Sequence, residues 1–134
     1  MLIASLVKGQ QSSPTQAVEK YFEYYIAGDT NGLKEVFHED FTLSYISPWE
    51  KGKAAYKKVS RAQMMRFFNA NWSKLSISCT KNDVEIKDNI AHCKAVVRID
   101  GIVEWTDYIT MIKIESKWWI ISKSSTGKIL KKHN

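Results

Sequence analysis

Long apolar runs, a cysteine framework, clustered histidines and glycine-rich loops are all missing from this chain, and each absence removes a class of answer. Without an apolar stretch of about 20 residues no helix spans a bilayer, and no membrane partner is expected. Cys79 and Cys93 are the only cysteines, and they fit neither a disulfide-rich framework nor CxxC metal spacing. Each falls in a run of alternating residues, where a buried free thiol is the plain expectation. His38, His92 and His133 show no HxxxH or HxH spacing, so no metal site is expected. There is no phosphate-cradling glycine loop and no GxSxG elbow, and no cofactor is expected.

What is present describes one globular domain. A length of 134 residues suffices for a single core, and 44% hydrophobic with 25% charged residues is ordinary for such a domain. Lys and Arg outnumber Asp and Glu by 20 to 14, a net charge of +6, which favours anionic partners without naming one. Lys51, Lys53, Lys57, Lys58, Arg61 and Arg66 concentrate much of it around Trp49 and Tyr56. That mixture invites a nucleic-acid reading, but no recognised motif accompanies it, so nucleic acid is not the expected partner. The charge could equally keep a dimer soluble or guide an anionic small molecule. At the N-terminus Leu2 to Val7 is apolar and "KGQQSSP" follows. This is too short for a complete secretory signal, so residues 1–13 read as an arm or as the remnant of a signal segment. The first reading goes with a cytoplasmic chain, the second with a secreted or periplasmic one. Residues 14–127 read as the domain and 128–134 as a basic tail.

The first helix is marked by Ser13 as N-cap, Pro14 behind it and Gln16 three residues on. Val18, Tyr21, Phe22, Tyr25 and Ile26 give it an apolar face, and Gly28 ends it. Asp29 caps a second, shorter helix with Leu33, Val36 and Phe37. Phe41, Leu43 and Tyr45 alternate as a strand, which Ser47-Pro48 breaks. A short strand around Ala54 to Val59 precedes a third helix, opened by Ser60 and Gln63, whose Met64, Phe67, Phe68 and Trp72 form a stripe. The period then changes to two: Leu75, Ile77 and Cys79, a bend near Lys81 to Asp83, Val84 and Ile86, the turn "KDNI", and Ala91 to Ile99. Asp100-Gly101 signals a hairpin, and strands 102–115 and 117–125 follow around "IESKW". Four long antiparallel strands after three short helices imply an α+β fold, a strongly bent antiparallel sheet with the helices in its concave side. Three short helices cannot cover such a sheet, so a cavity or a partner surface should remain.

Three stretches, "VEKYFEYYIAGDTNGLKEVFHEDFTL", the helix after Ser60 and "WTDYITMIKIESKWWIISKS", together resemble the cone-shaped nuclear transport factor 2-like superfamily. The last of them is most similar to its putative lumazine-binding branch, near the polyketide cyclase-like (SnoaL-like) proteins. The resemblance implies a homodimer through the exposed sheet face and a pocket between sheet and helices. Against the ketosteroid isomerases of this fold, Tyr21 falls at the oxyanion tyrosine, but Tyr45 stands where their catalytic aspartate would be. A phenol titrating near ~10 is a poor base at neutral pH, so that reaction is not expected.

Asp107 is the residue that needs explaining. It shares a strand face with Val103, Trp105, Ile109 and Met111, where a carboxylate must find a partner or be desolvated. Lys123 lies across the closing hairpin, to within a residue or two of register. The pair could be a cross-strand bridge at a wet dimer surface. It could instead anchor a small-molecule cavity built with Tyr21, Tyr25, Tyr45, Phe68 and Trp105, binding the N–H edge of a flat heterocycle. An enzyme of the cyclase, isomerase or dehydratase kind would use Asp107 or His38 for proton transfer, although in "FHEDF" a backbone or Asp40 hydrogen bond explains His38 as well. His92, on the side of Lys94 and Arg98, reads as surface. A non-catalytic interaction module is the third possibility, and the residues leave all three open.

Overall fold

Helix α1 (Pro14–Ala27) starts at Ser13, whose hydroxyl accepts from the Gln16 amide at 3.1 Å and satisfies one of the donors that a first helical turn leaves free. Gln16 reaches back to Ser12 rather than Ser13, accepting from its N–H at 3.0 Å. Gly28 stops the helix in the left-handed region at φ 67°, and the Asp29 carboxylate accepts from the Gly32 amide at 2.9 Å to start α2 (Thr30–Val36). The computed structural model describes residues 11–131. Residues 1–10 of the expected arm or signal remnant, and tail residues 132–134, lie outside the described residues. Among the described residues no helix is long and apolar enough to cross a membrane.

After the helices come β1 (Phe37–Ile46), β2 (Tyr56–Ser60), α3 (Arg61–Met65), β3 (Ile77–Lys81), β4 (Glu85–Lys87), β5 (Ile90–Ile99), β6 (Val103–Ile114) and β7 (Lys117–Ile129). They build one seven-stranded sheet in the order β2-β1-β7-β6-β5-β3, with β4 also on β5. Of the four long strands expected, the first divides at the foreseen bend into two short ones, β3 and β4. One pairing departs from the antiparallel expectation: β1 runs parallel to β7. These strands are far apart in sequence, so no hairpin obliges them to oppose.

Other elements depart from their periodicity. Strand β1 begins at Phe37, four residues early, and the segment before Tyr56 is a 3-10 turn, Gly52–Ala55. Helix α3 has the full reciprocal cap between Ser60 and Gln63 yet ends at Met65, short of the expected stripe. Asn69 there accepts from the Asn71 amide at 2.9 Å, a local turn that competes with helix. Trp72 joins the core instead through a second 3-10 turn, Trp72–Lys74.

The inward face of β5 carries Cys93, Ala95, Val97 and Ile99, and that of β6 carries Val103, Asp107, Ile109 and Met111. Ala17, Val18, Tyr21 and Tyr25 of α1 close over them, and Phe37 stacks on Phe41 at 4.3 Å. Strand β7 changes phase midway. Met111 pairs with Ile120 but Thr110 with Ser122, so Ile121 is the extra residue of a β-bulge. Trp118 and Ile120 are buried before it, Lys123 and Ser125 after it.

Gly28 ties the first helix to this arrangement. A Cβ there would lie 2.8 Å from Cδ1 of Trp72, whose ring is pinned by Nε1 donating to the Tyr25 carbonyl at 2.8 Å. Gly28→Ala should therefore lose about 1–3 kcal/mol, from left-handed strain plus the clash. In thermal denaturation this is a fall of several degrees in Tm; an unchanged Tm would mean that the ring moves freely.

Candidate functional site

Between the bent sheet and α3 lies an open cavity of about 550 Å³, inside the range of about 300–1,000 Å³ usual for small-molecule sites. Its walls are mainly apolar and aromatic: Tyr25 from α1, Tyr45 from β1, Phe68 and Trp72 after α3, and Trp105 from β6. The rings brace one another edge to face. Tyr25 meets Phe68 at 5.6 Å and Trp72 at 5.1 Å, and Tyr45 meets Trp105 at 5.7 Å. Gly127 leaves room for Trp105, since a Cβ there would come within 2.8 Å of its ring.

The polar part of the lining is a buried cluster. Asp107 and Lys123 are 1% and 5% exposed, and their charged atoms stand 3.4 Å apart. Ser125, directly across from Asp107 in the ladder, donates to its Oδ1 at 2.6 Å. The Tyr21 hydroxyl donates to Oδ2 at 3.1 Å and accepts from Lys123 Nζ at 2.5 Å. The carboxylate thus has partners on both oxygens, and the pair is neutral as a unit. Burial, and after it the negative charge of Asp107, holds the Tyr21 phenol well above its ordinary range, so Tyr21 stays a donor. Burial likewise raises Tyr25.

Asp107, Lys123, Tyr25, Tyr45, Phe68 and Trp105 line the cavity together. Tyr21 does not: it is completely buried behind the lining and touches the site through its hydroxyl. His38 also lies elsewhere, its Nδ1 accepting from the Asp40 amide at 3.0 Å and its ring set edge to face on Trp119. His92 is exposed, 3.3 Å from Glu85. The cross-strand Asp-Lys pair is real, but it faces the cavity and not the outer surface. Cys79 and Cys93 are free, with burial pushing the Cys79 thiol up to about 12 and raising Cys93.

Sequence reasoning passed over Ser125 and the outer lining, Trp49 and Phe67 among it. Ser125 had a signal, since it shares a strand face with Lys123. Phe67 carried the helical stripe but read as core, because the helix that the stripe implied ends at Met65; Trp49 had no signal, since a loop position carries no periodicity.

A family profile with the description "Putative lumazine-binding" matches residues 10–125 of the chain. Comparison with curated proteins finds no match. Among solved structures, the chain is similar to an NTF2-like (nuclear transport factor 2-like) protein of unknown function from Methylobacillus flagellatus, with 16% identity over 95% of each chain and a TM-score of 0.73. It is also similar to an NTF2-like protein of unknown function from Silicibacter pomeroyi, at 18% identity over 85% of this chain and 92% of that one, TM-score 0.68. A third likeness is to a domain of unknown function with a cystatin-like fold from Nostoc punctiforme, at 11% identity over 92% of this chain and 80% of that one, TM-score 0.66. At these identities the likeness is one of fold alone.

Breaking the buried pair from one side strands the other charge. Lys123→Met or Asp107→Leu should each lose about 3–5 kcal/mol, and the double variant should lose clearly less than the sum. Urea denaturation of the four proteins measures this; additive losses would mean that the two side chains do not interact.

Proposed function

The chain belongs to the putative lumazine-binding family of the nuclear transport factor 2-like superfamily, and from that footing we propose that it binds a small, flat aromatic or heterocyclic molecule in the cavity. The observation that carries this reading is the composition of the lining: aromatic walls around one neutral cluster of hydrogen-bonding groups. Aromatic faces recognise a planar ring by area and stacking. The cluster offers the spare N–H of Lys123 and the Ser125 hydroxyl to a polar ring edge, so orientation comes from hydrogen bonds rather than net charge.

The same cluster favours holding a ligand over transferring a proton. A general base needs a lone pair within reach of its substrate, and of the four that a carboxylate carries Tyr21 and Lys123 share Oδ2 of Asp107 while Ser125 holds Oδ1, which leaves one, on Oδ1, and binds the group mainly into the cluster. His38, the other candidate acid or base, has its Nδ1 engaged with backbone outside the cavity.

Two copies then pair through the outer face of the sheet. Tyr108, Tyr56 and Ile46 are each about half exposed there, around a shallow depression of about 270 Å³ that Ser44, Ser124 and Thr126 also line. The hydroxyls and apolar side chains of this depression, with Lys58 and Lys94 beside it as the cross-strand neighbours of Ser44 and Tyr108, make a patch of the mixed kind that self-association uses.

Titrating tryptophan fluorescence with flat heterocycles, lumazine and other pteridines included, tests the binding reading. Saturable quenching is expected, because Trp49, Trp72 and Trp105 all line the cavity. Asp107→Asn, measured at a temperature where it remains folded, should weaken binding at least about tenfold through the disturbed anchor. No response from any compound, or a variant that binds like the wild type, would contradict it.

A further inference from the structure

The cavity's charge is unevenly distributed between floor and mouth. At the floor Asp107 and Lys123 neutralise each other. A carboxylate or phosphate pushed that deep would face the Asp107 anion, and although Lys123 has one N–H to spare its charge is already balanced by Asp107, so the new anion would be buried without a countercharge. The mouth differs. Trp49, Phe67 and Ile102 line the cavity and yet are 56%, 43% and 39% exposed, so they form an apolar rim.

The acids of that rim are already paired. Glu50 is 3.1 Å from Lys57, while Asp100 and Glu104 lie 3.4 and 3.1 Å from Arg98. The neighbouring cations are not. Lys51 adjoins Glu50, Arg66 adjoins Phe67, and Lys74 adjoins Leu75, all three neighbours being lining residues. The Leu130 amide donates to the Ile102 carbonyl at 3.0 Å, which brings Lys131 to the same end, whereas Lys128 pairs with Glu104 on the outer face of the sheet. All four cations of the mouth, Lys51, Arg66, Lys74 and Lys131, are exposed, and among the described residues none makes an ion pair.

We propose that the natural ligand is an anionic amphiphile: a flat apolar body inside the cavity, and an anionic group on a flexible stem held at the mouth by Lys51, Arg66, Lys74 and Lys131. This rests on the binding reading above and adds the ligand's chemical class and direction of entry. The stem lies along the apolar rim, and the anion stays in water, where exposed cations attract it without a desolvation penalty. Such attraction is screened by salt over about 8–10 Å at physiological ionic strength. Salt dependence is therefore its signature.

The test uses two probes of one shape, a naphthyloxy-hexanoic acid and its primary amide, titrated into the full chain at about 20 mM and about 300 mM salt. At low salt the carboxylate should bind at least about tenfold more tightly than the amide. The gap should close at high salt, and also in Lys74→Glu/Lys131→Glu or Lys51→Glu/Arg66→Glu, while amide affinity stays constant. All four substituted residues are exposed, and circular dichroism checks that each variant is folded. Equal affinities at low salt, or an advantage that survives in both charge-reversed variants, would overturn the proposal and leave the binding reading intact. If neither probe nor any flat heterocycle binds, the binding reading itself fails.

Discussion

A carboxylate and an ammonium 3.4 Å apart beneath a layer of aromatic rings each cost several kcal/mol to take out of water, and the fold is arranged to compensate them. Strand β6 brings Asp107 to the inner face, and helix α1 lays the Tyr21 hydroxyl between the two charges. The bulge at Ile121 then turns Lys123 and Ser125 inward. Counting back from the tight turn at Glu115 and Ser116 without a bulge would set Asp107 opposite Ser124 and send Lys123 outward. One extra residue therefore places both the ammonium and the serine hydroxyl in the cavity. Helix, hairpin and cavity floor are linked at this single point.

Much of that was legible in the residues. The caps at Ser13, Asp29 and Ser60, the stop at Gly28 and the turns at Asp88 and Gly101 are local devices, and each acts where its chemistry says it should. An acid on an apolar strand face demanded a partner, and Lys123 was within reach of the register. What was not legible depends on distant chain. The parallel pairing of β1 with β7 has no sequence signal, because its partners are joined by most of the domain. The early end of α3 reflects competition from Asn69 against an apolar pattern that would have continued. Tyr21 looked like a lining residue since it shares a helix face with Tyr25. In the fold its ring is covered completely and only its hydroxyl acts on the site.

The separation of roles inside the cavity follows from the same physics. Apolar walls supply area, which is weakly selective; the few polar groups decide orientation. Those groups are held by one another, so they are preorganised before a ligand arrives and little ordering remains to oppose binding. The fold does not dictate such a site: domains of this architecture host very different functions, and similarity at below 20% identity to solved neighbours concerns backbone shape. The functional reading belongs to this chain's own side chains.

The most direct test of a cavity built around the Asp107-Lys123 floor is to map a bound ligand by NMR, recording amide, aromatic and lysine ammonium resonances with and without saturating lumazine. The expected shifts centre on Trp105, Tyr25 and the Lys123 ammonium, while Tyr108 on the outer face stays still. Shifts confined to the outer face, or a bound ligand that leaves Lys123 and Trp105 unmoved, would contradict it.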